Sequence, residues 1–483
     1  MPELYRLTDW SADGSSANLG AYDDLDPEMQ SIVMGLAQRI YDGEKITYDP
    51  DLLQATVKPY IDGITKGYGK SLADVDWNTP DAKTLQKLTE NVFQFSASKD
   101  FHILSDMTAA LKGSDGKMRS FDDFRAEVDK MNVKYNQNWL RTEYNQAVAS
   151  SQCAARWTDF EKHSKSMPFL QYQAVMDGNT RAEHAALHGV IKRVDSDFWD
   201  KYYPPNGWGC RCEVIQLPGK NHKETPAEAI KFCKVDDMWK VNVGKKGVVF
   251  PKGHPYFMGQ CQRCNGTPKQ LAINPQCAAC VAGTKECREK IEKLQLIAER
   301  KQEYEQYQND ADYVDVQFDP KTGALKARNI DHIIHTHGET FFGNMTTTML
   351  EQECQDELYR LGHKAILEKE MECDANGNWL TALDLTFNKE RVDIASITGN
   401  GYYGWQMYHK NDQVRRWNAR PDVNTNTESF ILYFHDPSMF TEAKMQQSIP
   451  FFQNLLIQRG EQQHIKKVYC VIKGSNEIKS YNL

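Results

Sequence analysis

Two pairs of cysteines have the spacing of a metal-binding knuckle. Cys261 and Cys264 form one CxxC pair, Cys277 and Cys280 form another, and twelve residues separate the pairs. Four thiolates at this spacing can converge tetrahedrally on one zinc ion at about 2.3 Å. Because protein fills all four positions, the predicted Zn²⁺ is structural, and its binding stabilises a segment too small to form its own core.

Two histidines and two further cysteines form a second candidate metal site. His184 and His188 are four residues apart and would share one face of a helix. Cys210 and Cys212 flank an arginine, so an extended segment would point both thiols to the same side. In the alternative, the histidines hydrogen-bond the Gly-rich loop and the cysteines pack as small apolar groups. The sequence leaves both interpretations open.

The distribution of cysteine and of charge limits the class of protein. Eight of the twelve cysteines lie between Cys210 and Cys287, which favours metal binding over a disulfide framework in a chain without an export signal. The formal net charge is −8, so nucleic-acid binding would require a local basic patch. No run reaches the roughly 18 apolar residues of a membrane span. We expect a globular cytoplasmic protein with no membrane span.

The hydrophobic pattern predicts three kinds of segment. Apolar residues recur every three to four positions from about Asp26 to Tyr144, which is typical of packed helices. Thr284–Ala311 is charged and free of Gly and Pro, which predicts one exposed helix linking two domains. From Asp312 onward, strand-like and helix-like runs alternate, which indicates an α+β or α/β domain.

The segment between the N-terminal helices and the charged helix carries a series of motifs at fixed spacing. They are an Arg-Thr-Glu on a helix, a DGNTR followed by His and Gly, a Phe-Trp pair, a PPNG turn and a CRC. These residues are Arg141–Glu143, Asp177–Arg181, His184, Gly189, Phe198, Trp199, Pro204–Gly207 and Cys210–Cys212. Their order and spacing resemble the Mu F-type minor head proteins of bacteriophages, from about Met131 to Leu217.

This resemblance implies a phage or prophage head protein present in few copies, with portal and head proteins as its partners. It implies a role in head morphogenesis and in DNA packaging or delivery. The protein would then occupy the host bacterial cytoplasm during assembly and afterwards the virion. The resemblance implies no enzyme activity for this region, and the two CxxC pairs are an added module outside the family pattern.

The last domain carries a different set of motifs. They are a Gly and a Lys, an HTHG, three helix glutamates and an LGHKAIL run, at Gly323, Lys326, His335–Gly338, Glu351, Glu353, Glu357 and Leu361–Leu367. They resemble the tRNA-cutting C-terminal domains of contact-dependent inhibition toxins, which have a restriction-endonuclease-like core. In such a core, a helix carboxylate, a strand aspartate and a Glu-x-Lys position one or two divalent ions, such as Mg²⁺, beside the scissile phosphate.

By this resemblance, Glu353 is the helix acid, Asp384 and Asp393 are strand acids, and Lys410 is the catalytic cation. The two residues after Asp393 are Ile and Ala, so the Glu-x-Lys signature is lacking. Either Lys410 replaces the missing lysine from elsewhere in the chain, or the site has decayed. In the alternative, these acids lie on solvated strand ends and helix faces.

Two further patterns in this domain bear on nucleic acids. Arg415, Arg416, Trp417 and Arg420 combine cations for phosphates with a flat ring for unstacked bases, as RNA binding requires. A solvated basic helix is the alternative interpretation.

His335 and His337 could instead serve as the acid and base of a metal-independent ribonuclease. Activity that survives a chelator would favour these two histidines over the divalent-ion site.

Together these patterns predict a multidomain α+β protein. It has a helical N-terminal half, a small zinc-knuckle α+β Mu F-like core and a C-terminal restriction-endonuclease-like α/β domain. The segments are a helical head- or portal-docking region (1–130), a Mu F-like domain (131–220), a zinc-knuckle segment (221–283), a helical linker (284–311) and a nuclease-like domain (312–483).

We expect a minor head protein that carries a metal-dependent RNase, with tRNA or DNA as its nucleic-acid partner and an immunity protein as a further partner. The alternative is a purely structural, portal-associated capsid protein whose last domain binds DNA or a partner without catalysis.

Removing one cysteine of the second CxxC pair should release the structural zinc. We expect Cys277→Ser to lower the zinc content of the full chain by about one ion and to destabilise segment 221–283, because the binding energy of a structural zinc is folding energy. Elemental analysis measures the zinc content. Cys470→Ser is the control, because Cys470 lies far in sequence from both CxxC pairs. A Cys277→Ser chain with unchanged zinc content would contradict the four-thiolate site.

Overall fold

The structure, a computed structural model, describes residues 26–483 except residues 221, 231–234, 258–273, 334–344, 371–372, 374–375, 378–379, 400 and 402. The fold is mixed α/β, with helices and several β-sheets. It divides into two compact units, the first ending at Glu292 and the second beginning at Lys293. Within the described ranges, every helix is too short or too polar for a membrane crossing.

Local sequence signals set the ends of the first helices. Asp49, Thr79 and Ser120 each cap a helix by accepting a hydrogen bond from a backbone N–H of its first turn. Proline begins the first three helices, where its missing N–H removes no helical hydrogen bond. The helices are α1 (Pro27–Tyr41), α2 (Pro50–Tyr68), α3 (Pro80–Ala110), α4 (Phe121–Val133) and α5 (Leu140–His163).

Helices α2 and α5 approach closely because glycines lie at their contact. A Cβ on Gly67 would be 2.1 Å from the carbonyl oxygen of Val148, and a Cβ on Gly63 would be 2.9 Å from the Cβ of Ala147. Any side chain at Gly67 would therefore collide with the backbone of α5. The helices predicted for the N-terminal half are present in the described residues.

A buried ion pair joins α3 to α5. The ammonium of Lys99 lies 2.7 Å from the carboxylate of Glu143, and the two side chains are 1% and 0% exposed. Lys99 also donates to the carbonyl oxygen of Tyr135 at 2.8 Å, while the hydroxyl of Tyr60 on α2 donates to Glu143 at 2.6 Å. The glutamate of the Arg-Thr-Glu motif is therefore a core residue that ties three helices together.

A small antiparallel sheet follows α5, with strand order β2-β1-β3. The strands are β1 (Phe169–Gln173), β2 (Ile191–Arg193) and β3 (Glu213–Leu217), and the short helices are α6 (Ala182–Ala185), α7 (Phe198–Tyr202) and α8 (Val243–Lys246). The DGNTR motif lies between β1 and α6, and the CRC motif directly precedes β3. Strand β1 therefore precedes the DGNTR motif, and strand β3 follows the CRC motif.

The predicted charged helix is present and begins before its expected start. Helix α9 spans Pro275–Asn309. Cys277 and Cys280 consequently lie in its first turns, and Cys280 is 6% exposed. Cys261 and Cys264 lie outside the described residues, so the four-cysteine knuckle stays a prediction.

The second unit contains two sheets. The five-stranded sheet has the order β4-β5-β6-β7-β8, and the four-stranded sheet has the order β12-β11-β10-β9 with β9, β10 and β11 parallel. The strands are β4 (Tyr313–Phe318), β5 (Leu325–Asn329), β6 (Lys364–Leu367), β7 (Leu385–Phe387), β8 (Glu390–Val392), β9 (Ile394–Ile397), β10 (Ser429–Phe434), β11 (Lys467–Ile472) and β12 (Lys479–Asn482).

Helices cover both faces of the four-stranded sheet. They are α10 (Thr347–Arg360), α11 (Gly404–Asn418) and α12 (Glu442–Arg459). Helix α10 packs through Leu350, Cys354 and Leu358 on one face, and α11 and α12 pack on the other. All six residues of β10 are buried, as an uninterrupted apolar run predicts for a covered strand.

Removing the cation of the buried ion pair should destabilise the first unit. We expect Lys99→Met to lower the free energy of unfolding by about 3–5 kcal/mol, because the buried carboxylate of Glu143 would lose its counter-charge. Lys130→Met is the matched control, since Lys130 is 72% exposed in its pair with Glu127 and should change stability by less than about 1 kcal/mol. Urea denaturation measures the stability of both variants. Equal losses of stability would contradict a stabilising role for the Lys99–Glu143 pair.

Candidate active site and candidate metal ligands

The second unit brings a lysine against two aspartates. Lys410, on α11, forms an ion pair with Asp393, whose side chain is 1% exposed. Asp393 in turn lies close enough to Asp384 for the two carboxyl groups to repel each other. The side-chain oxygen of Gln413 accepts a further hydrogen bond from Lys410 at 3.2 Å. The structure thus brings together Asp384, Asp393 and Lys410, three of the four residues that the resemblance assigned to a restriction-endonuclease-like site.

The path of one extended segment positions these aspartates. Strand β8 ends at Val392 in the five-stranded sheet, and β9 begins at Ile394 in the four-stranded sheet, so Asp393 lies at the junction of the two sheets. Its carbonyl accepts a hydrogen bond from the N–H of Ile431 at 2.8 Å. The carboxylate of Asp384 accepts one from the N–H of Ile394, also at 2.8 Å.

Two glutamates and a histidine complete the cluster. His332 is fully buried, with Nε2 3.4 Å from the carboxylate of Glu351 and Nδ1 3.1 Å from that of Glu370. One ligand atom from each of the three lies within 4.8 Å of the others. The side chains of Glu351 and Glu370 are 4% and 6% exposed. We call these three residues with Asp384, Asp393 and Lys410 the carboxylate cluster.

Burial and mutual repulsion shift the proton equilibria of the carboxylate cluster. Burial, followed by repulsion from Asp384 and Glu351, raises the pKa of Glu370 to about 9. Burial also raises the pKa of Asp384 and, together with repulsion from Asp384, holds that of Asp393 well above its ordinary value. Burial lowers the pKa of Lys410, but the attraction of the two aspartates outweighs it and the net shift is upward.

The carboxylate cluster fits a divalent cation. Within the described ranges, Oδ1 of Asp393 and Oε2 of Glu351 are buried and have no hydrogen-bond partner. Such oxygens are costly unless a positive group compensates them. Carboxylate oxygens suit Mg²⁺ and Mn²⁺, and imidazole is a further ligand for transition metals. The candidate ligands are Glu351, Glu370, Asp384, Asp393 and His332.

Glu353 lies outside the carboxylate cluster. Helix residues are about 100° apart, so Glu351 and Glu353 point about 160° apart. Glu353 instead contacts the imidazole of His435, accepts from the hydroxyl of Tyr433 at 2.7 Å and pairs with Lys473 at 2.5 Å. The helix carboxylate of the cluster is therefore Glu351 rather than Glu353.

The sequence motif contains Glu351, but the resemblance assigned the role of helix acid to Glu353, although a signal for Glu351 exists. Glu351 is on the same side of α10 as Leu350, Cys354 and Leu358, which pack on the sheet. A charged residue on the apolar face of a helix marks an inward-pointing group. His332 and Glu370 carry no comparable signal, because their approach depends on long-range pairing of strands.

The basic stretch divides between surface and interior. Arg415 and Arg416 have half-exposed side chains, and both pair with Asp412. The guanidinium carbon of Arg420 lies 4.8 Å from the ring centroid of Trp417. The side chain of Arg420 is only 6% exposed. Arg415 and Arg416 therefore remain candidates for nucleic-acid contact, while Trp417 and Arg420 pack against each other. His335 and His337 lie outside the described residues.

In the first unit, one histidine and two cysteines meet. Nδ1 of His184 lies 3.8 Å from the sulfur of Cys210 and 3.5 Å from that of Cys212. His184 and Cys212 are 4% and 8% exposed. The ring of His188 points elsewhere, because its Nδ1 accepts a hydrogen bond from the N–H of Ala174 at 3.2 Å. Three of the four predicted ligands of the second site are therefore together, and His188 is not among them.

The two thiols of this group respond oppositely to their contact. The hydrogen bond from Cys212 is the largest cause that lowers the pKa of Cys210, and His184 adds to it. The same contact with Cys210, followed by burial, raises the pKa of Cys212. The contact between the two thiols therefore favours a single negative charge on the pair.

Comparisons with known proteins concern the first unit. Residues 102–215 match the family model of Phage Mu protein F like proteins. The capsid assembly protein F, as it is named, of Escherichia phage Mu is 44% identical over 85 residues, which are 18% of this chain and 19% of that protein. The Mu-like prophage FluMu F protein of Haemophilus influenzae is 44% identical over 78 residues, which are 16% of this chain and 19% of that protein.

The chain spans about a fifth of the length of these two relatives. No solved structure shows a significant match. The family match begins at residue 102, before the first motif, and extends to residue 215, beyond the CRC motif, while the carboxylate cluster lies outside it. Over residues 102–215, this chain is similar to the Mu F-like family of phage proteins.

Proposed function

We propose that this chain is a phage head protein that acts in head morphogenesis, and that its second unit is a divalent-metal-dependent nuclease. The family match and the capsid assembly name of the phage Mu relative support the head function. Portal and head proteins would be its partners, in the host cytoplasm and then in the virion. The buried carboxylate cluster around Lys410 is the observation that carries the nuclease proposal.

The residue types of the cluster suit phosphodiester hydrolysis. A divalent ion held by Glu351 and Glu370, near Asp384 and Asp393, would polarise the phosphate and activate water. Lys410 supplies a positive charge beside Asp393, where it can stabilise the charge that develops on the phosphate in the transition state. Lys410 occupies this place from α11 and so supports the interpretation that it replaces the lysine of the missing Glu-x-Lys.

RNA is the substrate that we propose. The last domain resembles tRNA-cutting toxin domains, and the half-exposed Arg415 and Arg416 provide cations for a phosphate backbone. A nuclease of this type would require a neutralising immunity protein in the cell that makes it.

Metal binding should depend on Glu351 and not on Glu353. We expect Glu351→Gln to weaken Mn²⁺ binding to the full chain by at least about tenfold, because it replaces a charged carboxylate ligand with a neutral amide. Glu353→Gln, two residues away on α10, is the matched control and should bind Mn²⁺ as the parent does. Calorimetric titration of the metal-free chain measures both. Weaker binding by Glu353→Gln alone would contradict the assignment of Glu351.

Cleavage of RNA should require both the metal and the buried acid. We expect the full chain to cut tRNA with Mg²⁺ or Mn²⁺, and Asp393→Asn and Lys410→Met each to lower the rate by at least about a hundredfold. Asp436→Asn, on an exposed turn, is the control and should cut normally. The assay is gel electrophoresis of tRNA after timed incubation.

Two outcomes of the same assay would overturn the nuclease proposal. Cleavage that continues in EDTA would favour His335 and His337 as a metal-independent acid–base pair. Intact RNA under all conditions would favour a structural domain that binds DNA or a protein partner without cutting it.

A further inference from the structure

We propose that His184, Cys210 and Cys212 bind one zinc ion in the first unit, and that this ion fastens the CRC segment to helix α6. The site is separate from the carboxylate cluster and from the two CxxC pairs. It therefore stands or falls independently of the nuclease proposal.

The distances among the three groups match tetrahedral zinc. With Zn–N and Zn–S bonds of about 2.0 and 2.3 Å, two ligand atoms at a tetrahedral angle are separated by about 3.5 Å for nitrogen and sulfur. The two observed separations from Nδ1 of His184 to the sulfurs are 3.5 and 3.8 Å. All three ligand atoms lie within 4.8 Å of one another. An ion could therefore enter with little movement of the side chains.

The ligand types favour zinc over the harder cations. An imidazole with two thiolates is a soft donor set, which Mg²⁺ and Ca²⁺ do not prefer. Two thiolates also balance the charge of the ion, which matters because His184 and Cys212 are largely buried. Three protein ligands leave the fourth tetrahedral position for a water molecule or a partner group.

Neighbouring contacts hold the two ligand-bearing segments together. Arg211, between the cysteines, donates two hydrogen bonds to Asp177 at 2.7 and 2.8 Å. Arg181 donates to the carbonyl oxygen of Trp208 at 2.6 Å. A Cβ on Gly207 would lie 2.9 Å from the guanidinium of Arg181, so glycine permits this approach. The DGNTR and NGWGCRC motifs thus pack against each other, with His184 and the two cysteines between them.

The location explains why an ion is useful there. The segments that carry the ligands contain a four-residue helix and loops, flanked by strands of three and five residues. A metal that links two such short segments would hold them in place, because its binding energy contributes to folding.

Metal content of ligand variants tests the proposal. We expect His184→Ala, Cys210→Ser and Cys212→Ser each to lower the zinc content of the full chain by one ion per molecule, as measured by elemental analysis. His188→Ala and Cys153→Ser are matched controls from the same unit and should keep the parent content. Cys277→Ser reports separately on the CxxC pairs, so a combined Cys277→Ser and Cys212→Ser chain should lose more zinc than either single variant.

A measurement on the unaltered chain keeps the proposal testable if a variant fails to fold. Iodoacetamide alkylation followed by peptide mass mapping reports on each cysteine. We expect EDTA to accelerate alkylation of Cys210 and Cys212, while the buried Cys470 of the second unit reacts equally slowly with and without it. Unchanged rates at Cys210 and Cys212 would overturn the proposal. So would a Cys210–Cys212 disulfide, or Cys210→Ser and Cys212→Ser chains that keep the parent zinc content.

Discussion

The second unit depends on how it compensates for burying four carboxyl groups beside a single lysine. Asp393 lies at the point where one extended segment leaves the five-stranded sheet and enters the four-stranded sheet, so both sheets fix the position of its backbone. Lys410 neutralises one carboxylate, yet Asp384, Glu351 and Glu370 remain close by. Like charges in such a place raise one another's pKa and weaken the fold. A bound cation would relieve that repulsion. The carboxylate cluster therefore destabilises the metal-free protein and favours the binding of a metal ion.

The first unit solves a related problem with neutralised pairs. Lys99 and Glu143 are both buried, but each satisfies the other, and Tyr60 and Tyr135 complete their hydrogen bonds. Lys99 and Glu143 thus provide one counter-charge for each other, which is typical of a structural rather than a ligand-binding pair. The carboxylate cluster differs in its balance of charge, since four carboxyl groups accompany one lysine.

Local signals in the sequence were sufficient for the helices but not for the sites. Caps such as Asp49 and Ser120 act within one turn, so the helices they begin could be predicted from a few residues. The grouping of Asp384, Asp393 and Lys410 followed from a family resemblance. The choice between Glu351 and Glu353 required the direction of each side chain around α10, which the motif alone does not contain. His332 and Glu370 reach the cluster through strand pairing over long separations, which no local pattern records. His188 shows the converse, since helical spacing with His184 suggested a shared ligand role, whereas the helix ends at Ala185 and a turn redirects the ring.

Crystals of the full chain soaked in Mn²⁺ would test most directly whether the carboxylate cluster is a metal-dependent site. Anomalous scattering locates manganese without reference to any assumed ligand. We expect a peak in contact with Glu351 and Glu370, with Lys410 still beside Asp393. A cluster with no anomalous peak at saturating Mn²⁺, in crystals where Lys410 remains paired with Asp393, would contradict the assignment.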